Sequence, residues 1–327
     1  MHSSRGSRAG LGGPALALGA AVTFALSVPL GKLLLGEIGS FTLAGVLYLG
    51  AGLGLTLYRL LAREPVRTAS ARDSSSPVSS PGRSRLYLAG AIVSGGIIAP
   101  ALLFWGLASL AAAPASLLLS LEVVFTALLA GLVFGEHIAK QVWMAVVLMV
   151  AASILLAWTG GGLSWSLSAI AVGLATLFWG LDNNLTREIR GYSAAHIAQL
   201  KGLVAGTVNL LIGVLVMGQV PSVWPAIAGA ALGAVSYGLS LVLFVYALRL
   251  LGSARTGAYF SSAPVIAAVV SLAIFPARPG WRLLAAFALV VLATVLIVSE
   301  RHAHEHAHGE IVHSHSHWPD QEHRHTH

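Results

Sequence analysis

Glu122 stands about ten residues into a run of some twenty apolar side chains, a place where a carboxylate demands compensation. At the middle of a hydrocarbon layer an acidic side chain costs about 2.5–3.5 kcal/mol on insertion scales. Such a carboxyl can be protonated in one conformational state and ionised in another, which is the chemistry of proton coupling; held permanently neutral or permanently paired, it would be structural instead. Thr126, one helical turn on, shares its face and is placed to hydrogen-bond to it. Lys201 lies about eight residues into a second apolar run, ~12 Å deep at 1.5 Å per residue. It has three readings: a partner for Glu122, a ligand for an anionic solute group, or a side chain that snorkels to the nearer interface. Asn209 follows on the same face, while His196 and Gln199 lie nearer the start of that run.

Asp182, Asn183 and Asn184 form a polar knot late in a third apolar run, just before Arg187. Trp179, one turn before Asn183, is placed to stack on a solute. A capped helix end at the interface is the other reading, since an aspartate near headgroups is tolerated.

Ten of the thirteen histidines crowd the C-terminus as His302, His304, His306 and His308, then His313, His315 and His317, then His323, His325 and His327. Imidazoles this dense chelate divalent metals. With no cysteine in the chain and Glu305, Glu310, Asp320 and Glu322 nearby, they favour Zn, Ni, Co or Cu(II) over Cu(I). The competing reading is a disordered tail whose charge changes at about pH 6.5. His304, Glu305 and His308 also spell H-E-x-x-H, but a zinc-protease site needs that motif on a packed helix with a third ligand, which a polar tail does not offer.

The elements that must position these groups follow from composition. At 56% hydrophobic and 9% charged residues over 327 positions, with a mean hydropathy of +0.81, the chain is an integral membrane protein. Apolar runs fall at 13–34, 40–60, 86–107, 112–133, 141–159, 166–187, 194–217, 225–249, 255–275 and 281–299. Each is near the ~20 residues needed to cross a ~30 Å core. Period-2 alternation is absent from them, so they are helices rather than barrel strands. No span holds a nucleophile and base, or a metal set, that would mark an intramembrane enzyme.

Net charge of +7 raises nucleic acid as a partner, and the placement of the charge dismisses it. Of 19 Lys and Arg, Lys201 lies within a span, Lys32, Arg278 and Arg282 fall on one side, and the other 15 fall on the opposite side. That bias puts both termini in the cytoplasm of a bacterial inner membrane.

The last five runs repeat the pattern of the first five. "PASLLLSLEVVFTALLAGLVF" (Pro114 to Phe134) is echoed by "TGAYFSSAPVIAAVVSLAIFP" (Thr256 to Pro276), with Glu122 opposite Pro264. A repeat with an odd number of spans is inserted upside down, a geometry suited to exposing a central site to alternate sides. The organisation expected is therefore all-α: a first five-helix repeat over 11–159, a second over 165–299, and a disordered His-rich tail over 300–327. Residues 61–85, rich in Ser, Pro and Arg, form a flexible cytoplasmic loop in this reading. Small residues at Gly50 to Gly54, Ser94 to Gly96 and Gly229 to Ser236 permit close helix approach.

Three segments carry a family resemblance: "FALSVPLGK" (Phe24 to Lys32), "AAPASLLLSLEVVFTALLAGLVFGEHI" (Ala112 to Ile138) and "LATLFWGLDNNLTREI" (Leu174 to Ile189). In order and spacing the chain resembles the drug/metabolite transporter superfamily, of the kind with two EamA-type domains, over Leu11 to Ser299. Glu122 stands where that family usually has proline, and "FPARP" replaces its second Gly-Glu end. The resemblance implies ten spans, cytoplasmic termini, and movement of small metabolites, amino acids or drugs, often as export. It also makes Lys32 a candidate lining residue. The expectation is a proton-coupled secondary transporter in a lipid bilayer with a small-molecule substrate. The rivals are a Zn, Ni or Co transporter with the tail as capture device, and a non-transporting metal-responsive sensor.

Overall fold

The computed structural model describes residues 9–62, 81–135, 138–159, 162–163, 166–251, 253–275, 278–299, 302–308 and 311–317. Ten long helices carry the described chain: α1 (Gly12–Leu34), α2 (Ser40–Ala62), α3 (Gly82–Ser109), α4 (Ala112–Val133), α5 (Lys140–Ala157), α6 (Leu167–Arg187), α7 (Ala194–Val216), α8 (Val223–Ala247), α9 (Thr256–Ile274) and α10 (Trp281–Val298). All except α6 are long and apolar enough to cross a membrane. α6 has 21 residues and comparable length, but Asp182, Asn183, Asn184 and Arg187 lower its apolar character. Leu60, Leu132, Leu215, Trp224 and Trp281 point outward and exposed, a surface that lipid would cover. The core, with Leu43, Leu103, Phe104, Met149 and Val172, lies where α2, α3, α5 and α6 converge.

Local sequence sets the helix ends. The Ser166 hydroxyl accepts the Ala169 N–H at 3.1 Å to start α6, and the Ser193 hydroxyl accepts the His196 N–H at 3.2 Å to start α7. Gly135, with φ of 67°, ends α4 in the left-handed region that a side chain resists.

The packing is nearly invariant when the first five helices are exchanged for the last five. α2 packs on α7, α4 on α9 and α5 on α10. The contact of α1 with α8 has its counterpart in α6 with α3, and that of α4 with α6 in α9 with α1. The α2/α7 crossing is close because glycines face each other: a Cβ on Gly202 would stand 2.6 Å from the Gly52 nitrogen, and one on Gly52 2.7 Å from the Leu203 nitrogen.

Three spans are interrupted. α1 divides at Leu26 into Ala9–Ala25 and Ser27–Leu34, α4 into Ala112–Leu118 and Leu121–Phe134, and α9 into Ser253–Phe260 and Ala263–Ile274. Glu122 and Pro264 are each the second residue after the interruption. Proline is tolerated there because the first N–H groups of a helix have no intrahelical acceptor. The sequence echo therefore marks a shared break in the backbone. Three further segments take five-residue hydrogen bonding: Ile92–Ile98 in α3, Ile212–Val216 in α7 and Ala234–Leu239 in α8.

Two short antiparallel ribbons complete the description. Trp158–Thr159 (β1) pairs with Gly162–Leu163 (β2) between α5 and α6. His302–His308 (β3) pairs with Ile311–His317 (β4). The expectation of a tail without regular structure is thus corrected for its first two histidine groups. Alternation of His with other residues is a period-2 pattern, and Gly309 and Glu310 separate the two runs in sequence, a common hairpin arrangement. His323, His325 and His327 lie outside the described residues, as do 63–80 of the loop expected over 61–85 and Glu136 of the Gly-Glu end.

Candidate functional site

The candidate site begins at the broken segment of α4. Asn183 of α6 donates its Nδ2 to Glu122 Oε1 at 2.8 Å and to Thr126 Oγ1 at 3.2 Å. Asn184 donates to the Thr126 carbonyl at 3.1 Å and to the Gly180 carbonyl at 2.8 Å. Glu122 and Thr126, predicted to share a helix face, are thus held by one asparagine. Glu122 is partly buried and Asn183 exposed. The approach of α6 to α4 needs Gly180, where a Cβ would stand 2.9 Å from the Thr126 nitrogen.

The opposite side of the knot is buried. Lys201 Nζ of α7 forms a short ion pair with Asp182 Oδ2, and Thr186 Oγ1 donates to Asp182 Oδ1 at 2.9 Å. Asp182 is 4% exposed. Of the readings for Lys201, the partner is a carboxylate, but it is Asp182 rather than Glu122. The i, i+1 step from Asp182 to Asn183 turns their side chains to different sides of α6, one toward α7 and one toward α4. Gly95 of α3 makes room for this pair, since a Cβ there would collide with the Asp182 carboxylate.

The five-residue bonding of α3 supplies two further acceptors. In regular α-helical register the Gly96 carbonyl would accept from residue 100, which is a proline with no N–H. Ala99 donates instead to Ser94, five residues back, which leaves the Gly95 carbonyl without its usual donor. Tyr48 Oη donates to Gly95 O at 2.8 Å and Trp179 Nε1 to the same oxygen at 3.0 Å. Asn209 Nδ2 donates to Gly96 O at 3.1 Å. Trp179 is buried, with its indole N–H spent on the backbone, and Asn209 is fully buried with Oδ1 unpartnered.

Eight of the nine predicted membrane-embedded residues are therefore on one structure: Glu122, Thr126, Trp179, Asp182, Asn183, Asn184, Lys201 and Asn209. Lys32 is elsewhere. Its ammonium donates to the carbonyls of Leu107 at 2.6 Å and Ala108 at 2.9 Å, capping the C-terminal end of α3. Tyr48 and Pro100 escaped the sequence reading. The pattern Ser94-Gly95-Gly96 with Pro100 four residues on was the available signal for the second, and nothing distinguished Tyr48 from an ordinary apolar position. A chain of rings continues from Tyr48 through Tyr237, Phe24 and Phe260 to Phe244, with successive centroids 5.1–5.5 Å apart. Among the described residues no group of three His, Asp or Glu is placed to hold a metal.

Comparison with known proteins agrees with this architecture. Residues 11–158 and 166–299 each match the EamA-like transporter family. A protein from Methanothermobacter thermautotrophicus described as an uncharacterized transporter is 30% identical over 265 residues, covering 78% of this chain and 77% of that one. A solved crystal structure shares the fold at a TM-score of 0.59 with 18% identity, covering 87% of this chain and 94% of its own. With two family matches spanning its ten helices, the chain belongs to the EamA-like transporter family.

Proposed function

We propose that this protein is a ten-span secondary transporter of a small organic solute, built from inverted repeats over 11–159 and 165–299 and working by alternating access. The supporting observation is that the polar network joins the halves: Glu122 and Thr126 come from the first repeat, Asn183, Asp182 and Lys201 from the second. The arginine distribution supports cytoplasmic termini in a bacterial inner membrane.

Coupling resides at Glu122. An ionised carboxylate accepts the Asn183 amide as a charge-assisted hydrogen bond, and a protonated one accepts it more weakly. Proton binding thus loosens the tie between α4 and α6 and favours one facing state, while release favours the other. Deprotonation toward the cytoplasm after solute release outside makes the direction export. In proteoliposomes loaded with candidate metabolites, amino acids or drugs, a pH gradient drives flux in the wild type. Glu122→Gln, which keeps the shape, removes the pH dependence. Unchanged pH-driven flux in Glu122→Gln would refute the coupling.

The tail carries a second role, divalent metal binding, favoured by a backbone register that sets His302 against His317, His304 against His315 and His306 against His313. Zn, Ni, Co and Cu(II) suit imidazole ligands. Calorimetric titration of the full chain with Zn shows saturable binding that disappears on truncation after Ser299, while solute flux persists. Loss of flux on truncation, or metal uptake that survives it, would turn the reading toward metal transport.

A further inference from the structure

Arg59 of α2 is 9% exposed, yet among the described residues no carboxylate pairs with it. Its Nη1 is spent on two neutral acceptors, His196 Nδ1 at 2.7 Å and Gln199 Oε1, both from α7. Gln199 in turn donates Nε2 to Thr56 Oγ1 at 2.7 Å. A guanidinium only donates, so His196 accepts through an unprotonated Nδ1 and supplies no negative charge. Tyr192 stacks on the His196 ring, with centroids 5.7 Å apart and planes at 24°, and holds its orientation. The Arg59 Nε is buried with no partner, and Nη2 has no hydrogen bond among the described residues.

The unused atoms are not random. Nε and Nη2 lie along one edge of the planar guanidinium, and that edge grips a carboxylate or phosphate through two parallel hydrogen bonds. A buried cation without a counter-ion is costly, and so is an orphaned N–H. Lys201, the other cation within this helix pair, has Asp182; Arg59 has the same need and only neutral neighbours. The cluster sits at the basic end of the α2/α7 pair, Arg59 eleven positions after Tyr48 and His196 five positions before Lys201.

We propose that Arg59, oriented by His196 and Gln199, is an oxyanion site at the cytoplasmic end of α2 and α7, separate from the central network, which takes one phosphate or carboxylate group on its Nε/Nη2 edge. The ligand is either a free cytoplasmic anion or the phosphate of an anionic lipid, and the chemistry is the same. The site is a matter of binding and stands whether or not flux is proton-coupled.

The test follows thermal unfolding of the full-length protein in nanodiscs. In phosphatidylcholine nanodiscs, inorganic phosphate raises the unfolding midpoint saturably relative to chloride at equal ionic strength if the ligand is a free anion. Phosphatidylglycerol nanodiscs raise it without added phosphate if the ligand is a lipid headgroup. In either case Arg59→Lys, which keeps the charge and loses the fork, weakens the half-saturation at least fivefold, or removes the lipid effect. The double variant Asp182→Asn/Lys201→Met keeps the gain. Absence of any gain in the wild type in both membranes overturns the proposal whether or not Arg59→Lys folds. So does an equal gain in Arg59→Lys, or a gain lost only in the double variant.

Discussion

Asp182 and Lys201 form a largely buried ion pair, and the physics of such pairs is asymmetric. Removing one partner leaves an uncompensated buried charge, at a cost of about 3–5 kcal/mol, whereas replacing both with neutral groups of similar volume is often near neutral. Thermal unfolding of Asp182→Asn and of Lys201→Met is therefore expected to fall well below the wild type. The double variant recovers most of that loss and still fails to transport. Additive losses in the double variant would mean that the pair is not the relevant unit. At this scale the sequence was informative about which residues matter and weaker on which touch. Glu122, Asp182 and Lys201 stood out because charge in an apolar run is expensive, and all belong to the same region. Their pairing depended on the rotation of α6, which places Asp182 toward α7 and Asn183 toward α4. Hydropathy contains no information on that angle. Lys32 shows the opposite case: a charge in the right type of place, spent on capping the end of α3.

The helices position the site through their irregularities. α4 and α9 break at matching places, and α3 and α8 carry five-residue bonding at corresponding positions of the two halves. Pro100 is the physical origin of one such feature, because its missing N–H releases the Gly96 carbonyl that Asn209 then satisfies. The expected consequence is coupling between the two residues. Asn209→Ala destabilises the wild type, and the same substitution costs less in a Pro100→Ala background, where residue 100 can donate. A double-mutant cycle on the unfolding midpoint measures this, and strict additivity would disprove it. The number and limits of the long helices were legible from apolar run length, and the Glu122/Pro264 echo fell where α4 and α9 break. The bonding shift in α3 was not, because Gly95, Gly96 and Pro100 are compatible with a kink of several kinds. The β3/β4 ribbon was also missed, since composition spoke for disorder while the alternation of His with other residues spoke for strands.

On the scale of the whole molecule, exchange of the halves leaves the helix contacts in place, while the polar residues break that symmetry. Aligned as repeats, Glu122 corresponds to Pro264, and Asp182, Asn183 and Asn184 correspond to Val28, Pro29 and Leu30. Under the proposed alternating access, a pseudo-symmetric frame with one set of polar groups would take two facing states that differ in how those groups are satisfied. The chain contains no cysteine, so a single introduced thiol can report which side of the membrane reaches the site. Thr126→Cys, reconstituted with known orientation, is to be labelled by a membrane-impermeant maleimide added to one side or the other, at acidic and at neutral pH. Alternating access predicts labelling from both sides, with the ratio shifting with pH and the shift lost when Glu122→Gln is added. Labelling from one side only under every condition would contradict the account.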